Sequence, residues 1–259
     1  MIFRIQKVLC MGNDAFIRTK KIFLEGDIKT KLNLLIYFIS SKIFNKKSCK
    51  MVFNNTIKNQ DGIFFCGKRY ENLWAVIEFY EEKLRPIFKN FKEGVFIDIG
   101  SHIGKYTIMV ANQVKNRGCV VSIEPEKENF NIINKNLKLN HLRNATLLNI
   151  ALSSKPGIRR LNISMHGPGS HSFEKIKESK GCRPVKTDTL DNIVKSMNLM
   201  SVDLIKIDVE GHELDVLKGA KRTAKLFKPK IIVEIGNIKK QRKCEKMIKT
   251  FGYEIAQKT

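Results

Sequence analysis

The sequence predicts an α/β fold with a mostly parallel central sheet flanked by helices, preceded by an N-terminal helical and β-hairpin extension. Three observations carry this reading. From Gly94 onward, short apolar runs alternate with amphipathic runs of helical period. The short runs are apolar on both faces, the pattern of strands covered by helices on either side. One of them, Val95 to Ile99, passes directly into a glycine turn and a helix, a junction at which open α/β sheets bind ligands.

Residues 1–47 are basic and mixed in pattern, with helical pieces. Their most apolar stretch, Leu32 to Phe44, contains Asn33 and Lys42 and is too short to span a bilayer, which takes about 20 apolar residues. It suits a helix packed on the body, or one lying in a membrane surface beside Lys29, Lys31, Lys42, Lys46 and Lys47. In residues 48–91, Cys49 to Ile57 and Ile63 to Cys66 read as strands joined by a turn at Asn59-Gln60-Asp61-Gly62. A helix from Glu71 to Phe88 follows, with Leu73, Val76, Ile77, Phe79, Tyr80, Leu84 and Ile87 in its apolar stripe and Pro86 placed to kink it or end it early.

Residues 92–259 read as the core. Strand Val95 to Ile99 leads to a helix from Gly104 to Lys115, and strand Cys119 to Ile123 to a helix from Glu126 to Leu139. Ala145 to Ala151 is a third strand. Leu204 to Ile207 and Ile231 to Ile235 are a fourth and fifth, joined by a helix from Glu213 to Phe227. A basic helix, Lys239 to Thr250, and a strand, Tyr253 to Ala256, come last, where a returning antiparallel edge strand is expected. Either the sheet is trimmed there or N-terminal strands cover that edge. The glycine-rich excursion 153–200 lies between the third and fourth strands, at the natural place for a substrate lip or a plain surface loop.

With 42% apolar and 28% charged residues in 259, collagen-like, mucin-like and wholly disordered readings are excluded. The formal charge is +23, from 48 basic against 25 acidic residues. It reflects either a lysine-rich solvated surface or attraction to an anionic membrane, a glycan or nucleic acid. The charge is diffuse, without an RGG tract or an alternating aromatic and basic stripe for stacking on bases. Cys10, Cys49, Cys66, Cys119, Cys182 and Cys244 are far apart with no CxxC pair, so free thiols in a reducing compartment are expected. No secretory signal pattern opens the sequence, and the expected location is cytoplasmic, with peripheral membrane contact open.

The turn Gly100-Ser101-His102-Ile103-Gly104 has GxxxG rather than GxGxxG spacing, which disfavours a dinucleotide pyrophosphate. An acidic Asp98 at the strand tip would also repel phosphate, but it suits the sulfonium and amino groups of S-adenosylmethionine. Glu124, 20 residues after Gly104 and at the end of the second strand, can accept both ribose hydroxyls. Asn149 and Ala151 close the third strand where an adenine edge should lie; Asn149 equally suits a structural turn. His102 either contacts the cofactor carboxylate or only caps the helix.

A second cluster, Lys206-Ile207-Asp208-Val209-Glu210-Gly211-His212-Glu213, packs five ionisable side chains at the end of the fourth strand. Lys206 is costly on a buried strand unless paired, so its ammonium should reach Asp208 or the strand-end crevice. Asp208, then His212, then Glu210 are the candidates to remove a proton from an acceptor hydroxyl. The alternatives are that Glu210 and His212 cap the next helix, or that the carboxylates and His212 ligate a divalent cation. Glu234, in the apolar fifth strand, is placed to complete a charged floor with Lys206.

The runs VFIDIGSHIGKYT (95–107), SIEPEKENFNIINKNLKLN (122–140), TDTLDNI (187–193), IKIDVEGHELDVLKGA (205–220) and PKIIVEI (229–235) together resemble the FkbM family of S-adenosylmethionine-dependent methyltransferases. The likeness covers about 50–259, with IKIDVEGHE its most specific part. It implies a class I, Rossmann-like methyltransferase fold and O-methylation of a hydroxyl on a sugar, glycan or related small molecule. It would give Asp98, Gly100, Gly104 and Glu124 cofactor roles and set Asp208, Glu210 and His212 on the acceptor side. His102 departs from the family's usual GANIG turn. An RNA methyltransferase, suggested by the charge, and a noncatalytic binding protein on the same scaffold are the alternatives.

Overall fold

The computed structural model describes residues 2–5, 13–44, 52–77, 81, 84–164, 169, 171–174 and 178–258. Strand β1 (Ile2–Ile5), helices α1 (Asn13–Glu25) and α2 (Ile28–Phe44) and hairpin β2 (Asn55–Asn59) and β3 (Gly62–Gly67) precede short helices α3 (Tyr70–Val76) and α4 (Arg85–Lys89). Then come β4 (Gly94–Ile99), α5 (Lys105–Val114), β5 (Gly118–Ile123), α6 (Lys127–Leu139) and β6 (Ala145–Leu148). The excursion holds β7 (Ala151–Leu152), β8 (Gly157–Ser164), β9 (Ser179–Asp188) and α7 (Leu190–Ser196). Last are β10 (Leu204–Ile207), α8 (Glu213–Lys218), α9 (Lys221–Phe227), β11 (Lys230–Ile235), α10 (Ile238–Lys249) and β12 (Gln257–Lys258).

The central sheet runs β12-β1-β11-β10-β4-β5-β6, with every neighbouring pair parallel. This is the mostly parallel, helix-flanked sheet that the alternating runs predict. Period-two alternation divides its side chains. Ile97, Ile99, Val121, Ile123, Ile205 and Ile207 pack with residues of α7 to α10. Phe96, Val120 and Leu204 instead meet Phe88 of α4 and Tyr106, Met109 and Val110 of α5. A second layer joins α6 to the hairpin: Asn136 bonds the Phe65 amide at 2.6 Å and Asn140, one turn on, bonds the Ile63 amide at 2.8 Å. These side chains satisfy backbone groups on β3 that a bare edge would leave open.

Several boundaries differ from expectation for identifiable reasons. The helix expected from Glu71 to Phe88 stops at Val76, where Ile77 turns extended, and a new helix begins at Arg85. Pro86 sits in the first turn of α4, where a missing N–H costs nothing, so it opens a helix instead of ending one. Arg85 is held there by a buried two-point ion pair to Asp61 of the hairpin turn, at 2.5 and 2.7 Å. Phe79 and Tyr80 lie outside the described residues. The helix expected over Glu213 to Phe227 is two, broken at Gly219, which passes so close to the Ser153 carbonyl that a Cβ would collide with it.

The expected third strand ends at Leu148; Ala151 and Leu152 belong to a separate sheet, β7-β9-β8. The excursion is therefore built on a long antiparallel hairpin rather than a loop. The first hairpin strand begins at Asn55, and residues 49–51 lie outside the described ones. Tyr253 to Ala256 is not a strand; the Tyr253 hydroxyl bonds the Ala224 and Pro229 carbonyls, and pairing starts at Gln257. The edge where an antiparallel strand was expected is covered by β1, which pairs parallel with β11 from Ile2 opposite Ile232 to Ile5 opposite Ile235. The basic N-terminal region therefore contains a strand as well as helices. Among the described residues Cys66, Cys119, Cys182 and Cys244 are free thiols, and no helix is long and apolar enough to cross a membrane.

Candidate active site

The sheet register sets Ser122, Asp98 and Lys206 in one row across β5, β4 and β10. Above that row the chain leaves β4 through Gly100, His102 and Gly104, at φ +77°, +55° and +86°. A Cβ on Gly100 would overlap the Asp208 carbonyl, so only glycine lets the two strand ends lie this close. The turn is fastened from below: Thr107 donates to Asp98 Oδ2 at 2.7 Å, and Thr107, Ser122 and Ser101 form a buried hydroxyl chain ending on the Asp98 carbonyl. Sequence reasoning missed Ser101, Thr107 and Ser122. A polar residue in the apolar run of β5 was their one signal.

Two buried atoms at this turn lack a hydrogen-bond partner: Asp98 Oδ1 and His102 Nε2. Each such orphan costs about 1–3 kcal/mol unless something binds it. Burial raises the Asp98 carboxyl, with the Lys206 charge opposing, and burial together with the Lys206 charge pushes His102 down to about 3. A carboxyl oxygen and a neutral imidazole nitrogen fit the zwitterionic end of S-adenosylmethionine. The His102 amide donates to Glu124 Oε2 at 2.9 Å, while Gly104, not His102, holds the cap position of α5.

Glu124 receives a second amide, from Glu126, on Oε1 at 2.9 Å, and the Asn129 side chain reaches the same oxygen at 3.5 Å, so Oε2 keeps the lone pair open to a ribose hydroxyl. Burial pushes Glu124 up to about 8, against the pull of the Glu126 and His102 amides. The neutral form is thus favoured in the folded state, and its stabilising effect is full below the ordinary 4.5 and lost as pH rises through about 8. Above about pH 7, where His102, His171 and His212, all lowered from 6.5, no longer titrate in either state, cofactor-free protein should lose stability as pH rises through about 8 in urea titrations, and Glu124→Gln should flatten that slope. An equal slope in the variant would assign the dependence to other groups. Asn149 spends its amide protons on the Glu124 and Pro125 carbonyls, at 2.9 and 3.0 Å, clamping the turn after β5. Ala151 is buried in β7, opposite Thr187.

Beyond β10 lies a cavity of about 170 Å³ lined by Asp208, Glu210, Glu213, Glu234, Asn237 and Lys240 together with Gly211 and Gly236. Lys206 reaches Asp208 Oδ2 at 3.0 Å. Burial would lower the lysine, but Asp208, Asp98, Glu81 and Glu234 together hold it above its ordinary value, so it remains a cation. His212 holds the N-cap position of α8 without a side-chain cap bond, and Glu213, which begins the first turn, folds back onto the Gly211 amide at 2.6 Å.

His212 stands apart from that cavity. Its Nε2 meets Ser153 Oγ at 3.1 Å and Arg159 Nη1 at 3.3 Å, and its ring packs edge-on against Phe173. Arginine can only donate, so Nε2 accepts and Nδ1 carries the proton, facing Asp215. Burial and the Arg159 charge lower His212 to about 4. Arg159, Ser153 and Lys240 are further residues that the sequence did not single out. The excursion drapes over both halves of the site: a Cβ on Gly169 would lie 3.7 Å from the His102 ring, Ser172 bonds the Glu210 carbonyl at 2.6 Å, and Glu174 pairs with Lys240 at 2.5 Å. Among the described residues no group of three His, Cys, Asp or Glu side chains could hold a metal ion.

Residues 98–255 match the family model described as the methyltransferase FkbM domain. The hexuronic acid methyltransferase AglP of Haloferax volcanii is 27% identical over 161 residues, 60% of this chain and 63% of that protein. Methyltransferase sdnD of Sordaria araneosa is 26% identical over 48% of this chain and 59% of its own length. The chain thus spans less than two thirds of these relatives. Among solved structures, a SAM-dependent methyltransferase from Agrobacterium tumefaciens aligns with a TM-score of 0.45 at 8% identity, over 79% of this chain and 59% of that one. With the matched region running from the Asp98 turn through the cavity beyond β10 to Ile255, the chain belongs to the FkbM family of S-adenosylmethionine-dependent methyltransferases.

Proposed function

We propose that this protein transfers a methyl group from S-adenosylmethionine to a hydroxyl of a sugar or other carbohydrate-like acceptor. The observation that carries the reading is the cavity beyond β10, whose polar lining includes four carboxylates and, among the described residues, no aromatic ring. A polyol presents many hydroxyl donors, and carboxylates accept them in pairs. RNA would set its phosphates against Asp208, Glu210, Glu213 and Glu234, an arrangement that like charge opposes. The hexuronic acid named for the Haloferax relative is a sugar of this class, and Lys240, in the lining, supplies a cation for an acidic one.

The cofactor, when bound, supplies an electrophilic methyl carbon on a sulfonium. Asp98 and His102 hold its amino acid end, and Glu124 its ribose. Asp208 takes the proton of the acceptor hydroxyl, oriented by Lys206, whose fixed charge rules it out as the base. Glu210 and the excursion above it position the acceptor, and such positioning supplies more of the rate than the base does. The test is transfer of labelled methyl groups to fractionated cell extract. Label in glycan or lipid-linked sugar is expected; ribonuclease-sensitive label would overturn the acceptor class. No cofactor binding in calorimetry would sink methyl transfer itself.

A further inference from the structure

The helical pair α1 and α2 carries a feature that methyl transfer does not use. Its inner side is buried: Ile22, Leu34, Thr30 and Asn33 pack inward, with Asn33 bonded to the Phe53 carbonyl and to Asn55. Its outer side is apolar. Phe23 is 49% exposed, Leu24 64%, Ile28 84%, Leu32 44% and Leu35 56%. Ile28, Leu32 and Leu35 have the i, i+4, i+7 spacing of one helix face. The Lys31 ammonium lies 5.5 Å over the Phe23 ring, which joins the exposed residues of the two helices into one patch. Lys20 and Lys29 flank it in the open.

We infer that this patch docks the enzyme on an anionic membrane surface. Lysines around a protruding apolar stripe match negative headgroups above a hydrocarbon boundary. The surrounding sequence has the same sign, with twelve basic against three acidic residues in the first 58. Position agrees with the chemistry. From Thr30 to Asn33, α2 climbs β2 from Thr56 to Asn55, which bonds Gly67; just beyond, Arg69 pairs with Glu128 in the first turn of α6, beside Glu124. The patch therefore rises toward the cofactor edge of the sheet. A docked enzyme would meet acceptors displayed at the membrane, so this inference extends the carbohydrate reading without its test depending on it.

The experiment is cosedimentation of the full chain with phosphatidylcholine vesicles with and without about 30% phosphatidylserine, an anionic lipid that gives the cytoplasmic leaflet its negative surface potential. Binding to the anionic vesicles alone, weakening as salt rises, is expected. Lys20→Glu with Lys29→Glu should weaken it by more than about tenfold, and Ile28→Glu with Leu32→Glu should abolish it. These side chains are exposed, so circular dichroism and cofactor affinity should stay at the parent values. Failure of the parent protein to bind anionic vesicles overturns the inference. So does unchanged binding by the Ile28 and Leu32 variant, or a dimer that the same variant dissolves in protein without vesicle affinity. A protein that binds vesicles yet labels no sugar would retain this surface and lose only the acceptor assignment.

Discussion

Asp208→Asn should slow methyl transfer by about 10²–10⁴-fold, the range for loss of a positioned general base. Cofactor affinity should stay within about threefold, because an interaction made only with the acceptor leaves cofactor binding alone. Asparagine is the informative replacement. It keeps a carbonyl oxygen for Lys206, 3.0 Å away, while removing the site that takes the proton. Alanine would strand a buried ammonium among the remaining carboxylates and confuse lost chemistry with lost folding. His212→Gln is the companion. Its Nε2 is already engaged by Ser153 and Arg159, and burial holds it near 4, so its loss should cost less than about tenfold through positioning alone. Single-turnover rates at saturating cofactor separate the two. A larger loss for His212→Gln than for Asp208→Asn would move the base to the histidine.

The legible parts of this molecule are those written in contiguous residues. A strand, a glycine turn, a helix and an acidic residue at the next strand end are local grammar, and Asp98, Gly100, Gly104 and Glu124 stand where that grammar puts them. The pairing of Lys206 with Asp208 is local too, since two side chains of one strand end face one way. What escaped notice depends on register and packing. The Thr107, Ser122 and Ser101 hydroxyls meet only because β4 and β5 pair with Asp98 opposite Ser122. Arg159 reaches His212 from β8, and Lys240 reaches Gly211 from α10, across gaps of 53 and 29 residues in sequence. The break after Val76 was hidden for a different reason. The apolar stripe continues through it, while the device that restarts the helix is an ion pair from Arg85 to a hairpin turn 24 residues earlier.

Gly100→Ala should destabilise the protein by about 2–5 kcal/mol, combining about 1–2 for a side chain in left-handed backbone with about 1–3 for overpacking. The second part is the decisive one. The new Cβ would lie against the Asp208 carbonyl, a main-chain atom at the end of β10 that cannot rotate away. Relief requires β4 and β10 to separate where the Asp208 amide bonds the Ile99 carbonyl at 3.0 Å, and that displacement moves Asp208, the proposed base, and the Gly100 to Gly104 turn together. Gly104→Ala supplies the control. Its φ of +86° carries the same conformational cost, but its Cβ would meet the Ile133 side chain at 3.2 Å, which can shift by a few tenths of an ångström. Urea unfolding should therefore show Gly100→Ala to be the less stable by at least about 1 kcal/mol, the smaller end of the overpacking range. Cofactor affinity should be lost in that variant and only reduced in Gly104→Ala. Equal destabilisation would mean that backbone handedness alone selects these glycines, and that the close approach of β4 to β10 has no part in holding Asp208 beside the cofactor.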